Sequence, residues 1–151
     1  MEKIALASDQ GGFEQKEALK PVIEALGYEV VDFGVPSTDS VDYPDVIYPA
    51  AKAVANGEFK RGIILCGTGI GASIVANKVR GIRAALVTSP EVATLTREHN
   101  DSNILAMAGR TTPFETNKDI VEAWLGTPFN EDDRHSRRIN KIKDIETMEG
   151  R

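Results

Sequence analysis

Cysteine is nearly absent from this chain: one thiol, Cys66, among 151 residues. A single cysteine cannot close an intrachain disulfide, so a cross-linked scaffold is excluded. Positive charge is also in deficit, with 18 Lys and Arg against 23 Asp and Glu and a formal net charge of −5. That balance argues against a general nucleic-acid surface and leaves room only for a local phosphate site. No apolar run approaches the roughly 20 residues that span a bilayer. The opening Met1-Glu2-Lys3 leads straight into a strand pattern, and with no leader-like or membrane segment the expected location is cytoplasmic. What is present is ordinary for one globular domain with one core, 41% hydrophobic and 27% charged residues, so we expect a single domain over 1–151.

Against this background the segment Cys66-Gly67-Thr68-Gly69-Ile70-Gly71-Ala72-Ser73 stands out. It follows the apolar run Gly62-Ile63-Ile64-Leu65, which places the thiol at a strand end facing a glycine-rich turn. Successive backbone N–H groups in such a turn form a concavity that holds an oxyanion, aided by the helix that follows. A base beside an anion hole suggests enolate chemistry.

Short apolar runs at 4–7, 29–33, 62–66, 83–87 and 103–108 read as five strands. Between them a helix after Gly12 carries Leu19, Val22, Ile23 and Leu26 on one face and ends at Gly27, and helices at 44–56, 70–79, 91–100 and 113–125 fill the other crossovers. Strict alternation of this kind favours an α/β fold, a parallel sheet covered by helices on both faces and doubly wound by right-handed crossovers. We expect the order 2-1-3-4-5. Ligands in such sheets gather at the carboxyl ends of strands where the winding reverses, here between strands one and three. Asp9 and Cys66 should therefore line one crevice. Residues 127–151 read as a polar link and a C-terminal helix with Ile139, Ile142, Ile145 and Met148 as a narrow stripe. The stripe can pack on its own domain or on a second copy; a homodimer is the favoured arrangement.

Six segments in a fixed order resemble the ribose-5-phosphate isomerase B group and its relatives, the galactose-6-phosphate isomerase subunits, over nearly the whole chain. They are Ser8-Asp9-Gln10-Gly11-Gly12-Phe13, Val41-Asp42-Tyr43-Pro44, the glycine loop with Ala76-Asn77-Lys78-Val79, Gly81-Ile82-Arg83-Ala84, Arg97-Glu98-His99-Asn100-Asp101, and Arg134-His135 with Arg138. The resemblance implies a Rossmann-like, three-layer subunit, a dimeric or tetrameric assembly, a small phosphorylated sugar as ligand, and no cofactor or metal. It implies Cys66 as the base that moves a proton between C1 and C2, with Thr68 assisting. Thiolates rather than thiols do such work, and helix amino termini and nearby cations favour them. The N–H groups across Gly67, Thr68, Gly69, Ile70 and Gly71 would stabilise a cis-enediolate. His99 matches the residue that opens the sugar ring, a task suited to imidazole near neutrality. Asp9 suits a contact with a substrate hydroxyl and Tyr43 a place beside the sugar, Asn100 resembles a family residue that hydrogen-bonds the ligand, and Gln10 stands at a position of ligand contact. Arg110, Arg134 and Arg138 match the phosphate grip, the last two sharing a face if helical.

Two positions depart from the family pattern. Gln10 stands where the family usually has histidine, which keeps hydrogen bonding but removes a titratable charge, so substrate identity can differ. Ala72 stands where one branch carries a glutamate base, leaving Cys66 as the candidate. The implied reaction is the interconversion of D-ribose 5-phosphate and D-ribulose 5-phosphate, with a tetrose, allose or galactose phosphate as the alternative. A nucleotide-binding module is disfavoured, because Gly67-Thr68-Gly69-Ile70-Gly71 lacks the G-x-G-x-x-G spacing and the next strand ends in Val87-Thr88-Ser89 without an acidic ribose partner. A silent subunit is disfavoured by the joint presence of Cys66, Thr68, His99 and the arginines. Bland roles also exist: a buried inert thiol for Cys66, a helix cap for Asp9 or His99, and solvated surface charge for the arginines, the reading kept for Arg137.

Overall fold

The computed structural model describes residues 1–150. Five parallel strands, β1 (Lys3–Ser8), β2 (Glu29–Asp32), β3 (Arg61–Cys66), β4 (Ala84–Leu86) and β5 (Ile104–Ala108), alternate with α1 (Phe13–Ala25), α2 (Tyr43–Ala55), α3 (Ile70–Ala76), α4 (Pro90–Asn100) and α5 (Phe114–Gly126); α6 (Asp133–Met148) closes the chain. The three central strands are uniformly apolar because both of their faces are covered. Ile4 to Ala7, Ile63 to Leu65 and all of β5 are almost wholly removed from solvent. Fully burying a Leu or Ile contributes about 1.5–3 kcal/mol, so these strands anchor the fold.

Helices sort onto two faces by what they bury. Leu19 and Ile23 of α1, Ala93 of α4, and Ile120, Val121 and Trp124 of α5 pack with Leu6, Ile63 and Leu105. Ile47, Ala50 and Val54 of α2 and Ala72 and Ala76 of α3 pack with Ala5, Ile64 and Ala106 on the other side. The doubly wound, three-layer architecture expected from the sequence is what the chain forms.

Across the sheet the order is β2-β1-β3-β5-β4. The expected sequence of the last two strands placed β4 beside β3; instead Gly62 to Cys66 of β3 register with Ile104 to Ala108 of β5, and β4 lies outside. Burial explains the exchange. β5 is apolar at every position, whereas β4 has only three residues, none fully buried, and short strands suit an edge. Because the chain must return inward from β4 to β5, right-handedness sends α4 to the α1 face.

Capping residues set the helix starts. Ser89 accepts from the Val92 N–H at 3.3 Å with Pro90 at the first position of α4, and Asp132 accepts from the Arg134 N–H at 2.8 Å. The third helix is shorter than its pattern suggested. It stops at Ala76 because the Asn77 side chain turns to the backbone of Ala84, donating to its carbonyl at 3.0 Å and accepting from its N–H at 2.8 Å. No helix among the described residues is long and apolar enough to cross a membrane.

Candidate active site

At the carboxyl edge, the loops after β1, β3 and β5 are stitched together by their own backbones. Asp9 donates its N–H to the Leu65 carbonyl at 3.3 Å, Gly109 to Cys66 at 2.8 Å and Arg110 to Gly67 at 2.9 Å. This brings Asp9 and Cys66 to one crevice, as the switch in winding requires. Cys66 is 5% exposed and packs with the α2 and α3 side of the core. The Asp9 carboxylate is also buried and accepts from the Gly11 N–H at 2.9 Å. It therefore shapes the turn, while the N-cap of α1 is Gly12 with no side-chain cap.

Among the described residues, the N–H groups of Gly67, Thr68 and Gly69 meet no protein acceptor. The Thr68 hydroxyl accepts from the Ile70 N–H at 3.3 Å. Gly69 has φ +77°, and a Cβ there would stand 2.6 Å from Leu86 Cδ1 and 2.8 Å from the Met107 carbonyl, so glycine is required by both conformation and space. At Gly71 the obstacle is the Tyr43 ring, 2.7 Å from a built Cβ at its Cζ; Tyr43 thus lies flat against the loop. The exposed Arg110 side chain passes over Gly67, with Cδ 3.6 Å and Nη1 3.7 Å from a Cβ built there.

Beside the loop opens a cleft of about 470 Å³ lined by Gln10, Gly11, Glu14, Gln15, Thr38 and Arg110, among others. Gln10 Oε1 accepts from the Val41 N–H at 3.0 Å. That bond leaves both amide N–H donors and one lone pair of Oε1 for a ligand. Behind the cleft, the buried Lys16 ammonium meets Asp32 at 2.7 Å and Glu17 at 2.9 Å. Burial alone would raise the Asp32 carboxyl, but Lys16, Lys20 and the Gly34 N–H outweigh it and hold it below the usual carboxylate range.

His99, Asn100, Arg134 and Arg138 gather elsewhere, in a cleft of about 340 Å³ between α4 and α6. His99 stacks on His135 with centroids 4.7 Å apart and planes 23° from parallel. Burial, then the adjacent Arg134 and His99, hold His135 below the ordinary imidazole value. Asn100 accepts from the Thr96 hydroxyl at 3.1 Å, and its carbonyl receives Arg83 Nε at 3.0 Å. This cluster sits at the carboxyl end of α4, which leads to the amino end of β5, so it lies across the sheet from Cys66. The length of β5 alone separates the two edges by about 13 Å at ~3.3 Å per residue. One chain therefore joins Asp9, Gln10, Tyr43, Cys66, Thr68 and Arg110 at one edge and the imidazole and paired arginines at the other.

A further cavity, of about 650 Å³, is at neither place. It is lined by Arg61, Arg83 and Arg97, whose guanidinium groups already bond Glu2, Asp101 and main-chain carbonyls. Gln15 and Asn117, which touch the cleft or its supporting turn, carried no signal in the sequence: isolated amides have no periodicity or motif. His135 was visible beside Arg134, but its stack on His99 depends on α4 and α6 meeting in space.

The Ribose/Galactose Isomerase family model matches residues 4–142. Among curated relatives, ribose-5-phosphate isomerase B of Escherichia coli is 44% identical, the match covering 97% of both chains. D-erythrulose-4-phosphate isomerase 2 of Mycolicibacterium smegmatis is 40% identical over 98% of this chain and 97% of its own. Of solved structures, ribose-5-phosphate isomerase B of Clostridium thermocellum superposes with a TM-score of 0.93 at 47% identity, covering 97% of this chain and 98% of that one.

Proposed function

The chain belongs to the ribose/galactose isomerase family, and from that premise we propose that it interconverts D-ribose 5-phosphate and D-ribulose 5-phosphate. One observation carries the reading: the Cys66 thiol ends β3 directly before a loop whose N–H groups at 67–69, like the Arg110 side chain above it, have no protein partner among the described residues. Cys66 as thiolate takes the C2 proton of the open-chain aldose. The electron pair forms the C1–C2 double bond, and the negative charge passes to the carbonyl oxygen, where the loop N–H groups stabilise it. The 2-hydroxyl proton moves to O1, and the thiol returns its proton to C1. Removing one donor of such a hole lowers kcat by roughly 100- to 1000-fold.

The second edge completes the site from a second copy. His99, Asn100, Arg134 and Arg138 cannot reach their own Cys66 across the sheet, and apolar side chains flank both edges: Ile70 and Ile74 are 51% and 55% exposed on α3, and Ile142 and Ile145 are 43% and 52% exposed on α6. A homodimer that buries them presents one chain's imidazole and arginines to the other's thiol. In that arrangement His99 opens the sugar ring, the arginines hold the phosphate, and Gln10 donates to a sugar or phosphate oxygen at any pH.

A tetrose phosphate is the second reading, supported by the likeness to the D-erythrulose-4-phosphate isomerase 2 of M. smegmatis. Steady-state isomerisation of ribose 5-phosphate, run beside erythrose, allose and galactose phosphates with Cys66→Ala as the blank, separates them. Cys66-dependent turnover strongest on the pentose is the expected result; turnover confined to another sugar phosphate transfers the assignment, and silence on all removes it.

A further inference from the structure

Arg110 makes no side-chain hydrogen bond or ion pair among the described residues, so its aim depends on the turn that bears it. That turn is gripped from below by two amides from two helices. Gln15 of α1 donates both Nε2 hydrogens, one to the Gly109 carbonyl at 3.0 Å and one to the Thr112 carbonyl at 2.8 Å. Asn117 of α5 donates to Gln15 Oε1 at 2.6 Å and to the Ala108 carbonyl at 2.8 Å. Three carbonyls flanking Arg110 are thereby fixed, while its own N–H is held by Gly67 from the opposite side. The orientations are determined, since turning either amide over would set its oxygen against carbonyl oxygens.

Asn117 is fully buried and its Oδ1 has no partner among the described residues, yet all four amide N–H donors of the pair are spent on each other or on the turn. A buried amide network of this kind specifies the geometry of the backbone it holds. We propose that Gln15 and Asn117 are positioning residues for Arg110: their paired amides fix the 108–112 turn so that the guanidinium stands over Gly67 and takes the anionic end of the substrate. This rests on the sugar-phosphate reading above for the identity of the anion.

The test is a double-mutant cycle on the full-length protein, with inorganic phosphate as the binding probe in calorimetry and ribose 5-phosphate turnover as the second readout. Gln15→Met keeps the length of the half-buried side chain and removes both donors. It should weaken phosphate binding and raise KM about five- to tenfold while kcat changes by less than about twofold. In the Arg110→Ala background the same change should have no further effect, because Gln15 acts only through Arg110. A merely structural role would give the same loss in both backgrounds, and that additivity overturns the proposal, as does unaltered phosphate binding by Gln15→Met. Should Gln15→Met fail to fold, Asn117→Leu, which loses the donors to Gln15 and Ala108 without burying a charge, enters the same cycle with the same expectation. A wild-type protein that does not bind phosphate overturns the clamp. One that binds it but turns over no sugar phosphate defeats the isomerase reading and leaves the clamp to the phosphate cycle.

Discussion

Adding one methyl group to the glycine loop should have opposite consequences at two positions two residues apart. At Gly69, alanine must adopt φ +77°, which costs about 1–2 kcal/mol for an L-residue. Its Cβ also stands 2.8 Å from the Met107 carbonyl carbon and oxygen. Met107 belongs to the fully buried β5 and cannot withdraw, so overpacking adds about 1–3 kcal/mol. Together these give about 2–5 kcal/mol, and at about 2–4 °C per kcal/mol for a chain of this size the melting temperature falls by between about 4 and 20 °C. If the loop instead shifts to relieve the contact, its N–H groups leave their places and kcat drops roughly 100- to 1000-fold. At Gly71 the backbone is helical and the obstacle is the Tyr43 ring, which is 38% exposed and free to swing outward. Alanine gains up to about 1 kcal/mol of helix propensity there, so Gly71→Ala should melt within about 3 °C of wild type. The displaced Tyr43 should appear as a raised KM. Thermal melts and steady-state kinetics on both variants decide the matter. A Gly71→Ala protein destabilised as much as Gly69→Ala, or a Gly69→Ala protein that melts with wild type and turns over normally, would refute the reasoning.

Cys66→Ala should abolish turnover yet bind inorganic phosphate within about threefold of wild type, since only the proton carrier is lost; equal loss of both would assign the thiol to packing. Mixing Cys66→Ala with His99→Ala, each inactive alone, should restore about a quarter of wild-type activity, because half of randomly paired dimers then carry one intact site of two; no recovery after refolding the mixture would place the whole site in one chain. His135 titrates below the ordinary imidazole value in the folded protein, so the unfolded chain takes the proton first. Stability conferred by the neutral ring is present above about pH 6.5 and is lost as pH falls below it toward the folded value. The melting temperature of wild type should therefore fall relative to that of His135→Phe as pH drops below about 6.5; a constant gap would exclude the linkage.

Much of the fold was legible because its signals are local. β1, β3 and β5 are continuous apolar runs, and the helices between them carry one-face periodicity. The order of β4 and β5 was not, since it depends on which strand is covered on both sides, a property of burial that neighbouring residues do not encode. The site divides in the same way. Asp9, Cys66, Thr68 and Arg110 lie at strand ends, where topology alone predicts convergence. His99 was placed on a helix correctly, but which edge of the sheet receives it follows from the inward return of the chain after β4. The Gln15 and Asn117 amides meet across 102 residues of sequence, and no periodicity announces a contact of that range.

The separation of the two clusters to opposite edges of one sheet makes dilution a variable of the chemistry. A lone chain keeps its thiol and its loop but has no imidazole or paired arginines within reach, so specific activity should track the fraction of chains that are paired rather than the amount of folded protein. On the proposed pairing it should fall in proportion to protein concentration below the pairing constant, and an excess of sugar phosphate that binds the paired form should draw chains together and restore it. Substrate would then serve as an assembly factor, and progress curves begun at low protein concentration should show a lag that shortens as either component is raised.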